Sequence, residues 1–212
     1  MSKAGLVYYK LGSKSDGQIG IERQWLKESR SRFRCPVCGV PYPKSGPLEP
    51  IVMDTQGGRL RFRLPLEFIS EIDYEVIRDD LLSALEPESR QQLNLGALLD
   101  QNGKQISYYH TAQAKITTLL RGGPESKNNG VCDKCGRRRY YPMPHGYGYL
   151  LRSTFPEGTP ILRVRMGIAV NQAIRDRIVA AGLGRGMYLV KCPVLDEPED
   201  GLPIDLRFYE KV

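Results

Sequence analysis

Four cysteines fall into two copies of one pattern, Cys35-Pro36-Val37-Cys38-Gly39 and Cys132-Asp133-Lys134-Cys135-Gly136. Two residues between thiolates let a tight turn aim both sulfurs at one ion. A glycine after the second cysteine takes positive φ without steric cost and leaves backbone N–H groups free to point at sulfur. Two such knuckles supply four thiolates, enough for a closed tetrahedral site. Cys35, Cys38, Cys132 and Cys135 are therefore the candidate ligands, and structural Zn2+ the candidate metal. A rubredoxin-like iron site uses the same spacing, as do disulfides and thioredoxin-like redox pairs. A redox pair does not explain why the motif occurs twice, and a reducing compartment opposes disulfides. A filled four-thiolate site has no open coordination position, so its role is to hold the fold and not to catalyse. The fifth cysteine, Cys192, sits in the strand-like run 189–194 and reads as a small buried hydrophobe.

Little else in the chain has the residue types of an active site. The two histidines, His110 and His145, lie apart from any H-E-x-x-H, and no P-loop or G-x-S-x-G is present. Gly182-Leu183-Gly184-Arg185-Gly186 follows a helical pattern instead of opening one, which makes it a cap and turn. The expectation is a protein that is not an enzyme. Arg137, Arg138, Arg139, Tyr140 and Tyr141, directly after the second knuckle, combine phosphate-binding charge with stacking rings, and Arg152, Arg163 and Arg165 extend the same patch. Arginines also collect beside a four-thiolate zinc site simply because it carries a formal charge of −2.

Ninety-three residues separate Cys38 from Cys132, so the second knuckle returns to the first through a large inserted segment. The expected fold is α+β, a split zinc ribbon with an insertion over 40–131 and a C-terminal strand–helix–strand module over 151–212. Residues 1–150 form the knuckle-clamped part, and 1–212 a single unit. Strands are expected at 6–11, 60–64, 105–110, 162–166, 187–192 and 204–209, where apolar residues alternate. The period is helical over 66–85 and over 168–181, and the run through Trp25 and Leu26 reads as helical or irregular. Residues 111–120 fit strand or helix equally. The 66–88 segment is acidic, with Glu67, Glu71, Asp73, Glu75, Asp79, Asp80, Glu86 and Glu88.

The chain of 212 residues is long enough to bury a core without disulfides, and 41% apolar with 26% charged residues is an ordinary globular mix. The net charge of +7 is uneven: residues 1–34 carry +5 and 132–186 carry +7, against −2 over 35–131 and −3 over 187–212. No window reaches a membrane span, and the N-terminal residues lack the apolar core and cleavage site of a secretory signal, so the expected location is cytoplasmic, with no membrane partner.

Two C-x-x-C-G motifs split by about a hundred residues, a Tyr-Tyr-Lys-Leu opening strand and a closing strand–helix–Gly–strand unit resemble the double-CXXCG motif family of bacterial proteins, a paralogous expansion in myxobacteria. Leu95-Gly96-Ala97-Leu98 is similar to that family's Gly-Pro-Leu element, with Ala97 in place of the proline. The resemblance spans most of the chain, with its sharpest part in the ten knuckle residues. It implies a metal-stabilised immunity protein that neutralises a cognate toxin by occlusion. The acidic 66–88 face would meet a basic cleft, with Glu71, Asp73, Glu75, Asp79 and Asp80 as candidate contacts, and Tyr140 and Tyr141 the alternative hot spot. The competing reading is a nucleic-acid-binding zinc ribbon that uses Arg137–Tyr141.

Overall fold

A computed structural model describes residues 6–14, 20–37, 47–54, 65–69, 74–116, 120–121, 128–135, 138–140, 149–164 and 167–195. In chain order these form β1 (Val7–Ser13), α1 (Arg23–Phe33), β2 (Ile51–Val52), β3 (Leu66–Ile69), β4 (Tyr74–Arg78), α2 (Asp79–Ala84), α3 (Pro87–Arg90), β5 (Leu93–Leu99), β6 (Gln105–Ala114), β7 (Leu120–Arg121), β8 (Asn128–Val131), β9 (Arg138–Tyr140), β10 (Tyr149–Leu151), β11 (Ile161–Val164), β12 (Gly167–Asn171), α4 (Gln172–Ala180) and β13 (Met187–Leu195). The class is mixed α+β, as the sequence suggests. Strands expected at 60–64 and 204–209 lie outside the described residues.

A six-stranded sheet runs β11-β12-β1-β13-β10-β7, and a five-stranded sheet runs β2-β5-β6-β4-β3. Alternation along β1 decides how they stack. Tyr9 and Leu11 face one way and join Ile77, Leu93, Ala112 and Ala114 of the five-stranded sheet in the largest core. Leu81 and Leu82 of α2 and Ile174 and Ile178 of α4 close that core. Tyr8 faces the other way. It packs edge-on against Phe155 at 5.5 Å, and its hydroxyl donates to the Thr159 carbonyl at 2.6 Å.

The far side of the five-stranded sheet carries α1. Glu22 starts this helix: its two carboxylate oxygens accept from the backbone N–H of Gln24 (2.9 Å) and Trp25 (2.6 Å), satisfying donors that a helix N-terminus leaves open. These bonds hold the Glu22 carboxyl below its ordinary range. Phe33 packs against Trp25 at 5.5 Å and edge-on against Tyr74 at 5.7 Å, in a second core with Ile51, Met53, Ile69, Val76 and Leu98.

Two helical expectations give way to strands. Over 66–85 the described residues form β3, β4 and only then the short α2. β4 lies between β6 and β3 with a core on each face, so Tyr74 to Ile77 are all buried and the two-residue alternation disappears. With Glu75 buried among Tyr74, Val76 and Ile77, the segment fits the helical period as well as the extended one. Over 168–181 the first four residues belong to β12, paired with β1 and β11. The helix begins only at Gln172, where the Asn171 Oδ1 accepts from the Ile174 N–H at 3.0 Å. Gly182 stops it with φ 72°. Residues 111–114, undecided from periodicity, complete β6. No described helix is long and apolar enough to cross a membrane.

Candidate metal centre

The path of α1 ends at Phe33, and Cys35 follows two residues later, 1% exposed. The other two described thiols of the paired motifs directly follow β8, which forms a separate two-stranded ladder with β9 that pairs Val131 with Arg138. Cys132 is 1% exposed and Cys135 half-buried. A hairpin turn and a helix end thus deliver three thiols to one point. Their sulfurs all lie within 4.8 Å of one another, and Cys35 Sγ is 3.9 Å from Cys132 Sγ. None of the three is in a disulfide.

The donor set fits a soft, four-coordinate ion. With Zn–S bonds near 2.3 Å, tetrahedral geometry puts sulfurs about 3.8 Å apart. The Cys35–Cys132 separation matches that edge and is nearly twice the ~2.05 Å of an S–S bond. Among the described residues these three are the only group of three or more His, Cys, Asp or Glu ligand atoms gathered so closely. Cys38, the fourth expected ligand, lies outside the described residues, as do Gly39, Gly136 and His145. His110 is engaged elsewhere, with its Nε2 2.7 Å from Asp79 Oδ1.

The candidate partner residues are spread over different environments. Glu75 is 3% exposed on β4, inside the protein. Asp79 pairs with His110. Asp80 is gripped by Arg78 through both Nε (2.8 Å) and Nη2, and also accepts from the Leu81 N–H at 2.8 Å. Arg78 is the main reason the Asp80 carboxyl titrates below its usual range. Glu86 pairs with Arg177 of α4. Glu71, Asp73, Arg137 and Tyr141 lie outside the described residues, while Arg138, Arg139 and Tyr140 make up β9.

One residue that alternation places outside is inside. Arg163 is 8% exposed, so it does not extend a surface patch from the second knuckle. With the Gln113 amide turned so that its oxygen faces the guanidinium, that oxygen accepts from both terminal nitrogens of Arg163, at 3.2 and 3.3 Å. Gln113 is 2% exposed, and Asn94 and Thr111 are buried on the same sheet. Period-2 patterning missed this polar set because it treats every polar residue of a strand as solvent-facing. Cys192, by contrast, is buried in β13 at 2% exposure, as its surroundings in sequence imply. Burial pushes its thiol up to about 11.

The fold and the cluster together define a mixed α+β protein with a cysteine site suited to a metal ion. No family model and no curated protein matches this chain.

Proposed function

We propose that this is a non-enzymatic protein held together by structural zinc, and that it acts as an immunity protein, binding a cognate bacterial toxin and occluding its working surface. The carrying observation is the convergence of buried Cys35 with Cys132 and Cys135 from a hairpin 97 residues further on. Cys38 completes the set in this reading. Zinc supplies a cross-link there, and four thiolates leave no position for a reacting water. The doubled C-x-x-C-G motif and its resemblance to the double-CXXCG family support the immunity role. A cytoplasmic location fits reduced thiols.

The test has two parts. Protein purified without added metal is assayed by elemental analysis, with one zinc per chain expected; iron, or no metal, rejects the zinc reading. Tagged protein is then recovered from its native host, and the captured partner is expressed with and without it. Rescue of growth supports the immunity role, and a partner that is harmless alone refutes it.

A further inference from the structure

The three clustered thiols differ in what can reach them. Cys35 and Cys132 are each 1% exposed, whereas Cys135 is half-buried. The two hidden sulfurs are 3.9 Å apart, and all three lie within 4.8 Å of one another. Closing the hidden pair to the ~2.05 Å of an S–S bond needs an approach of about 2 Å. Both members of that pair are anchored by their neighbours in the chain. Cys35 comes two residues after Phe33, which packs against Trp25 and Tyr74. Cys132 directly follows Val131, which is paired with Arg138. One thiol within reach of solvent thus stands beside two that are close together and shielded from it.

We infer that the cluster is also a thiol-modification site: Cys135 takes up oxidising equivalents from a low-molecular-weight disulfide and passes them inward, ending in a Cys35–Cys132 disulfide. The inference deepens the structural-zinc reading, rests on it for the ion that the bridge displaces, and is independent of the immunity role. Cys135 Sγ attacks one sulfur of the small disulfide; that S–S bond breaks, a mixed disulfide forms on Cys135 and one small thiolate leaves. Cys132 Sγ attacks Cys135 Sγ, forming a Cys132–Cys135 bond and expelling the second small thiolate. Cys35 Sγ, 3.9 Å from Cys132 Sγ, then attacks Cys132, and Cys135 departs as the thiolate it began as. In sum, two protein thiolates are oxidised and one external disulfide is reduced to two thiolates, with no proton left over. Access retains the product. A bridge that includes Cys135 offers a half-buried sulfur to returning thiols, while both sulfurs of a Cys35–Cys132 bridge are covered. A disulfide sulfur is no longer a thiolate ligand, so the bridge and a four-thiolate site exclude each other. The chain exchanges one cross-link for another across the same 97 residues. In a reducing cell the cluster stays as thiols, and the bridge answers an oxidising thiol pool.

The test uses the full chain as purified. It is incubated with oxidised glutathione, sampled over time, quenched with acid and mapped by non-reducing peptide mass spectrometry. A chromogenic chelator reads released metal against a glutathione-free blank. The expected order is a glutathione adduct on Cys135, then a Cys35–Cys132 bridge, with two glutathione thiolates and one ion released per bridge. Cys192, buried in β13, should stay unmodified. The bridged protein should melt about 5 °C or more above the same protein chelated and reduced, because the bridge closes a long loop. Any of these results overturns the proposal: no bridge while a control C-x-x-C peptide oxidises, a first adduct at Cys35 or Cys132, a final bridge that includes Cys135 or Cys38, bridged protein that keeps its ion, or no gain in melting temperature. Zinc content of the starting protein judges the structural-zinc reading separately, since the peptide map decides the bridge with or without an ion.

Discussion

Two kinds of cysteine coexist here, and their surroundings set opposite chemistry. Cys35 and Cys132 are buried beside other thiols, whereas Cys192 is buried among Tyr8, Leu150, Leu162 and Val194. Replacing Cys35 or Cys132 with serine should remove the bound metal and leave the protein insoluble or protease-sensitive; elemental analysis and limited proteolysis read both. Cys192→Ala should keep full metal content and cost about 1 kcal/mol, measured by urea unfolding. The Cys192 thiol also makes stability depend on alkaline pH. It ionises near 8.5 in an unfolded chain but only at about 11 when folded. Its contribution is therefore complete below about pH 8.5 and is lost as pH rises through 11, about 3 kcal/mol at most. The alkaline limb of the stability curve should be shallower in Cys192→Ala. Gly96 is constrained by contact. A Cβ there would lie 2.6 Å from Thr111 Oγ1, 2.7 Å from Leu48 Cβ and 2.9 Å from the Leu48 carbonyl. Gly96→Ala should cost about 2 kcal/mol and lower the melting temperature by about 4–8 °C, read by calorimetry.

At the scale of elements, the boundaries carry the information. Asn171 ends β12 and caps α4, so one side chain decides where strand becomes helix. Asn171→Ala should cost about 1 kcal/mol, while Asn171→Asp should be nearly neutral. Thermal denaturation of the pair separates the cap from packing, since both changes leave the backbone path intact. The start of β13 was legible from alternation, since Met187 and Leu189 are buried with exposed Tyr188 between them. β4 was not, because both its faces are buried and its one interior charge, Glu75, is buried as well and so does not mark a solvent side. The acidic 66–88 segment likewise lost its meaning as one face once Glu75 turned inward and Asp79, Asp80 and Glu86 took partners within the chain.

At the scale of the whole molecule, the thiol cluster ties the end of α1 to the β8–β9 hairpin. A bound ion there adds its binding free energy to folding. Removing it with a strong chelator should lower the melting temperature by about 10 °C or more, and added zinc should restore it; a melt indifferent to chelation would contradict a structural metal.

The sequence alone determined the candidate ligand types, their paired spacing and the mixed α+β class, because thiol spacing and backbone periodicity are local properties. It also marked Cys192 as buried, since an apolar run surrounds it. Only the tertiary structure decided that Cys35 meets Cys132 and Cys135, that Arg163 lies inside, and that the strip after residue 66 is extended. Those outcomes depend on what packs against each segment from elsewhere in the chain, and no local pattern encodes a distant neighbour.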